Sequence, residues 1–114
     1  MIYDPVGGVY AEAALRAIAW EGRFLVIGFA AGEIPKIPLN LLLLKSCDLL
    51  GVFWGEFVRR APEKQRANMQ EILALAHAGK ISAHVDAVYP LERAAEALNA
   101  LANRKVKGKV VLKP

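Results

Sequence analysis

Apolar residues fall along this chain in short runs, and glycine or proline divides almost all of them. Arg23-Phe24-Leu25-Val26-Ile27 is continuous rather than alternating, which predicts a strand covered on both faces, as in a parallel sheet. Asp48 to Trp54 reads the same way and predicts a second such strand, stopped at Gly55. Shorter strands are predicted near Val85–Tyr89 and from Lys109 to Leu112. At the start, Ile2 and Tyr3 leave room only for the end of a strand, because Asp4-Pro5-Val6-Gly7-Gly8 is a turn sequence. A strand that ends where the chain begins predicts a truncated protein.

Helical patterns lie between these runs. Val9 to Trp20 is rich in Ala, with Leu15, Ile18 and Trp20 spread over more than one side, as in a helix packed on a sheet. Gly22 is expected to close it in a left-handed conformation. Pro35 and Pro38 keep the next stretch extended, and Leu39 to Lys45 predicts a short helix. Pro62 suits the first turn of a helix in which Met69, Ile72, Leu73 and Ala76 recur at helical spacing before Gly79. Pro90 opens a last helix bearing Leu91, Ala94, Ala95, Leu98, Leu101 and Ala102 on one face. Strands alternating with helices predict an α/β fold built on a parallel sheet with crossover helices. The expected internal boundary lies around Lys80 and Ile81.

Composition changes this picture in one respect. Hydrophobic residues make up 55% of the 114 residues, and with the 9 glycines about 63%, against roughly 45–50% for ordinary domains counted the same way. A small domain has much surface for its volume and should be less apolar than average. The excess predicts surfaces that another subunit or a further segment covers.

Charge changes little. The net charge is +4, from 15 Lys and Arg against 11 Asp and Glu. The only dense basic group is Arg104, Lys105, Lys107 and Lys109, without interleaved aromatics, so the footprint of a nucleic-acid binder is missing. One cysteine, Cys47, allows no internal disulfide and no Cys-rich zinc site, and predicts a reducing, cytoplasmic setting. The densest apolar stretch, Leu41 to Leu44, is far short of the roughly 20 residues of a membrane span.

Candidate chemistry gathers at three glycine-bounded strand ends: Asp4 to Gly8, Gly28 to Gly32, and Val52 to Gly55. In a parallel sheet these ends share one edge, and ligands of open α/β sheets bind in the crevice beyond it. Glycine there lets the backbone approach a flat ring or a phosphate, although glycines also simply turn the chain after a strand. His77 and His84 stand seven apart, which is no metal-ligand pattern. Cys47 reads as a structural thiol rather than a nucleophile.

Taken together, Tyr3-Asp4-Pro5-Val6-Gly7-Gly8, Gly22 to Gly32, Gly51-Val52-Phe53-Trp54-Gly55, Tyr89-Pro90-Leu91-Glu92 and Gly108-Lys109-Val110-Val111-Leu112 resemble the zinc-independent quinone oxidoreductases of the medium-chain dehydrogenase/reductase superfamily. The resemblance runs through essentially the whole chain in order. It implies the C-terminal half of a Rossmann-type sheet over residues 1–80, and over 81–114 a strand–helix–strand that returns to the substrate (GroES-like) domain. It implies NADPH as cofactor and hydride transfer to a quinone or activated alkene. Gly8 would lie beside the cofactor. Ile27, Gly28, Phe29 and Ala30 would line the nicotinamide and its ribose, and Val52, Phe53 and Trp54 would meet the nicotinamide. Lys107 and Lys109 are placed either at the cofactor's phosphates or in a solvated loop. The resemblance also implies a homodimer paired through the Asp48–Trp54 edge strand.

The departure from that family is large. No glycine-rich phosphate loop with G-x-G-x-x-G spacing occurs here, and Gly7-Gly8 does not replace it. Anchoring and orientation supply much of a reductase's rate, so the expectation is half a cofactor cleft, with weak or absent NADPH binding and no activity alone. Two alternatives stay open: a non-catalytic dimerisation or ligand-binding module derived from a reductase, and a reductase of enoyl or acryloyl thioesters.

Overall fold

The computed structural model describes all residues from Met1 to Pro114. They fall into two compact units, Met1–Gln65 and Arg66–Pro114. In the first, β1 (Ile2–Asp4), β2 (Arg23–Val26) and β3 (Asp48–Gly51) form a parallel sheet in the order β1-β2-β3. In the second, β4 (Val85–Pro90) and β5 (Lys109–Lys113) pair in parallel around a 3-10 turn, Leu91–Arg93, and helix α5 (Ala94–Ala102). The α/β class and the parallel pairing follow the sequence pattern.

Helix α1 (Val9–Ala17) follows β1 and buries Ala11 and Leu15, four apart, so one stripe faces the sheet. With Ile18, Phe24 and Leu41 of α2 (Asn40–Lys45) they form the core, and Ile2, Val26, Ile37 and Cys47 pack partly buried against it. Phe24 is 1% exposed and Leu15 fully enclosed. Two such side chains contribute roughly 1.5–3 kcal/mol each by burial alone.

α1 stops at Ala17, three residues earlier than its apolar pattern predicts, and Trp20 lies beyond it and exposed. The left-handed residue after the helix is Glu21, at φ 55, rather than Gly22. Gly22 is required for space instead. A Cβ there would stand 2.6 Å from Cγ1 of Ile18 and 2.8 Å from the carbonyl oxygen of Ala19.

The sequence pattern also overextends β3. The strand ends at Gly51 rather than Trp54; Phe53 leaves the extended region, and Trp54 begins a helix, α3 (Trp54–Arg60), that the apolar pattern conceals. Residues 52–54 are apolar enough to read as strand, but the charges beyond them carry a helical period. Glu56 pairs with Arg59 and Arg60, three and four residues on, the spacing that brings side chains together on one helix face. Gly55, expected to stop a strand, sits inside this helix.

Helix α4 (Pro62–His77) begins at Pro62 as predicted, yet buries none of its residues. Its stripe, Met69, Ile72 and Leu73, is exposed. All four residues of β3 are exposed too, in contrast to the covered strand that its composition predicts.

Candidate functional site

The site is built from register. Asp4, Val26 and Gly51 are mutual partners across the three strands, so β1, β2 and β3 end level with one another on one edge of the sheet. Beyond that edge the chain is held close. The N–H groups of Ile27 and Gly28 donate to the Asp4 carbonyl at 2.9 and 3.4 Å, that of Ala30 to Pro5 at 3.1 Å, and that of Val52 to Val26 at 2.9 Å.

The turn after β1 is fixed by Asp4. One carboxylate oxygen, Oδ1, accepts from the N–H groups of both Val6 and Gly7 at 2.9 Å. Asp is suited to this role because its short side chain reaches the backbone two and three residues on. The Asp-Pro-x-Gly order signals such a turn, although the pattern alone marks no role for the Asp4 side chain.

Between the ends of β2 and β3 lies a cleft of about 360 Å³ lined by Val26, Ile27, Gly28, Phe29, Gly51, Val52 and Phe53. Five of the eight residues singled out from sequence meet there: Ile27, Gly28, Phe29, Val52 and Phe53. Val26 and Gly51, the strand-terminal residues, complete the lining and are not among the eight; their position just before the named segments is the signal that could have found them.

The other three stand elsewhere. Gly8 stands at the N-cap just before α1 and lines a separate concavity with Val9, Glu12, Glu33, Pro35 and Lys36. Ala30 is exposed and outside the cleft lining. Trp54 opens α3, and its indole Nε1–H donates to Oε1 of Gln65 at 3.2 Å.

The lining is almost wholly apolar, the character usual for a small-molecule site. A Cβ at Gly51 would meet nothing within 4 Å, and one at Gly28 only the Pro5 carbonyl oxygen, at 3.5 Å. The main chain at these positions therefore stands clear of neighbouring side chains. No titratable side chain lines the cleft. The same lining offers no cation for phosphates. The lining thus suits an apolar group and offers nothing to a phosphate.

Comparison with known proteins bears on the family and the fold. A family profile described as zinc-binding dehydrogenase matches residues 1–112. A quinone oxidoreductase-like protein 2 homolog of Nematostella vectensis is 36% identical over 113 residues, which is 98% of this chain and 31% of that protein. Quinone oxidoreductase-like protein 2 of Rattus norvegicus is 39% identical over 109 residues, 96% of this chain and 31% of that protein. A mycobacterial protein solved in complex with NADPH superposes with a TM-score of 0.83 at 30% identity, over 98% of this chain and 34% of that one. The chain thus spans about a third of the length of the relatives it matches.

The zinc in the family's description finds no ligands here. No three or more His, Cys, Asp or Glu side chains come together in a way that could hold a metal ion; His84 faces Asp86 at 3.6 Å, and Cys47 is a lone free thiol. No helix is long and apolar enough to cross a membrane. By profile, sequence and fold, the chain belongs to the zinc-binding dehydrogenase family of the medium-chain dehydrogenase/reductase superfamily and corresponds to the C-terminal part of its quinone oxidoreductase-like members.

Proposed function

We propose that these residues form the nicotinamide side of an NADPH-dependent oxidoreductase that passes hydride to a quinone or an activated alkene. The observation that carries this reading is the level ending of β1, β2 and β3 at Asp4, Val26 and Gly51, with an apolar cleft directly beyond two of those ends. NADPH, when bound, supplies the hydride from its nicotinamide ring. The chain's part is to position that ring and keep water from it. Phe29 offers one wall and Val52 with Phe53 the other, while the open main chain at Gly28 and Gly51 allows close approach. Gly8, Ala30 and Trp54 would complete contacts to the ribose and ring edge. Residues 81–114 would be the segment that returns to the substrate domain. The lone Cys47 suits a cytoplasmic setting.

This chain carries no phosphate-anchoring loop, so alone it is expected to be inactive and to hold NADPH weakly. Titration of Trp20 and Trp54 fluorescence tests this. Reduced nicotinamide mononucleotide should perturb the emission at millimolar concentration, and adenosine 2′,5′-bisphosphate should not. Binding of the adenosine ligand as tightly as the nicotinamide one would overturn the assignment. The lining offers no polar group to choose between a quinone and an enoyl or acryloyl thioester, so substrate choice falls to residues outside the cleft.

One observation favours a second role beside the first. β3 is an edge strand exposed along its whole length, with Leu49 and Leu50 open to solvent and Val52, just beyond its end, open as well. Apolar edges of this kind invite strand pairing. Pairing of two copies through β3 would make the chain a dimerisation module whether or not it turns over substrate.

A further inference from the structure

The segment that follows β2 is fastened to the turn after β1 by a run of backbone hydrogen bonds. They join Ala30 to Pro5, Ala31 to Val6, and Gly8 to Glu33 at 2.9–3.2 Å. At the middle of that turn stands Gly7, in the left-handed region at φ +67. A Cβ at Gly7 would come within 2.8 Å of Cδ1 of Phe29 and 3.5 Å of its Cα. Carbon atoms in contact sit about 3.5–4.0 Å apart, so any side chain at position 7 displaces the Phe29 ring.

Phe29 lines the cleft with Ile27, Gly28, Val52 and Phe53. It also lines a second apolar cavity of about 250 Å³, together with Phe24, Ile34 and Ile37. Phe29 therefore borders both spaces, and the space left by Gly7 sets how far its ring can lean toward the turn.

We propose that Gly7 is a positioning residue: its bare Cα seats the edge of Phe29, and the ring so held separates the cleft from the neighbouring cavity and sets the cleft's width. Only the identity of the planar ligand rests on the NADPH reading; the seating of Phe29 does not. Gly7 acts on the site through another side chain, which distinguishes its role from the cofactor contact assigned to Gly8.

The test uses the whole chain labelled with 4-fluorophenylalanine and follows the fluorine resonance of Phe29. Gly7→Asn is the informative variant, because Asn tolerates the left-handed region yet carries a Cβ. Gly79→Asn is the control, since Gly79 has φ +70 with nothing within 4 Å of its Cβ position. The Phe29 resonance should shift in Gly7→Asn and stay in place in Gly79→Asn. An unmoved resonance in a folded Gly7→Asn would overturn the proposal. If Gly7→Asn does not fold, adding Phe29→Leu should restore folding, and failure to restore it overturns the proposal equally. If Phe29 shifts while reduced nicotinamide mononucleotide leaves the unsubstituted chain unperturbed, the cofactor reading falls and the seating stands. Binding of that ligand with an unmoved Phe29 removes the seating and leaves the cofactor reading in place.

Discussion

The indole Nε1–H of Trp54 donates to Oε1 of Gln65 at 3.2 Å, tying the first residue of α3 to the first turn of α4. Trp54 is exposed and Gln65 half-buried, so the bond contributes at the low end of the usual range, about 0.5 kcal/mol. It fixes an orientation more than it stabilises. Gln65→Leu should lower the steady-state anisotropy of Trp54, read in a Trp20→Phe background, and leave the urea midpoint almost unchanged. Unaltered anisotropy would show that the indole is held by other means.

Phe24 and Phe53 separate stability from binding. Phe24 is 1% exposed and Phe53 78%. Phe24→Ala should cost about 3–5 kcal/mol, as truncation of a buried ring does, and should unfold the first unit. Phe53→Ala should change stability by about 0.5 kcal/mol or less while abolishing the response to reduced nicotinamide mononucleotide. Urea denaturation and fluorescence titration of both variants check the pair. Equal destabilisation by the two would contradict the burial that places them in different roles.

Much of the architecture is legible in the chain. The continuous apolar run of residues 23–27 signals β2, and glycine and proline mark most boundaries. The errors have two causes. Residues 52–54 are apolar and continue a strand pattern, while the helical period that claims Trp54 is written in the charges of Glu56, Arg59 and Arg60 beyond it. Gly22 looks like a left-handed cap, yet its requirement is the nearness of Ile18. Such an approach depends on how the helix packs, and no local pattern encodes it. The cleft is legible because it needs only strand ends and register. The contact of Gly7 with Phe29 is not, since the two belong to segments some twenty residues apart.

Edge pairing makes a separate expectation. Leu50 lies in the middle of β3 and is 43% exposed. If two copies meet along this strand, Leu50→Lys should raise the dimer dissociation constant at least about tenfold, equivalent to about 1.4 kcal/mol. Light scattering across a dilution series measures it. A chain that scatters as a monomer at micromolar concentration before any substitution would end the dimer proposal.

Acid should weaken α3 in a defined direction. The side chains of Arg59, first, and Arg60 hydrogen-bond the Glu56 carboxylate and hold its pKa below the ordinary 4.5. A carboxylate depressed in the folded state adds stability that is fully present above its unfolded value and is lost as pH falls through the folded one. Helicity should therefore decline below about pH 4.5 more steeply in the parent chain than in Glu56→Gln. The groups are solvent-exposed, so 1 M salt should erase most of the difference. Circular dichroism against pH provides the comparison, and parallel curves at low salt would refute it.

The most direct test is to map where a nicotinamide ring lands. Amide resonances of the chain, followed during titration with reduced nicotinamide mononucleotide, should move at Ile27, Gly28, Phe29, Val52 and Phe53, and remain still along α5. Shifts confined to the second unit, or none at those five amides at saturating ligand, would contradict the placement of the cofactor at the level ends of β2 and β3.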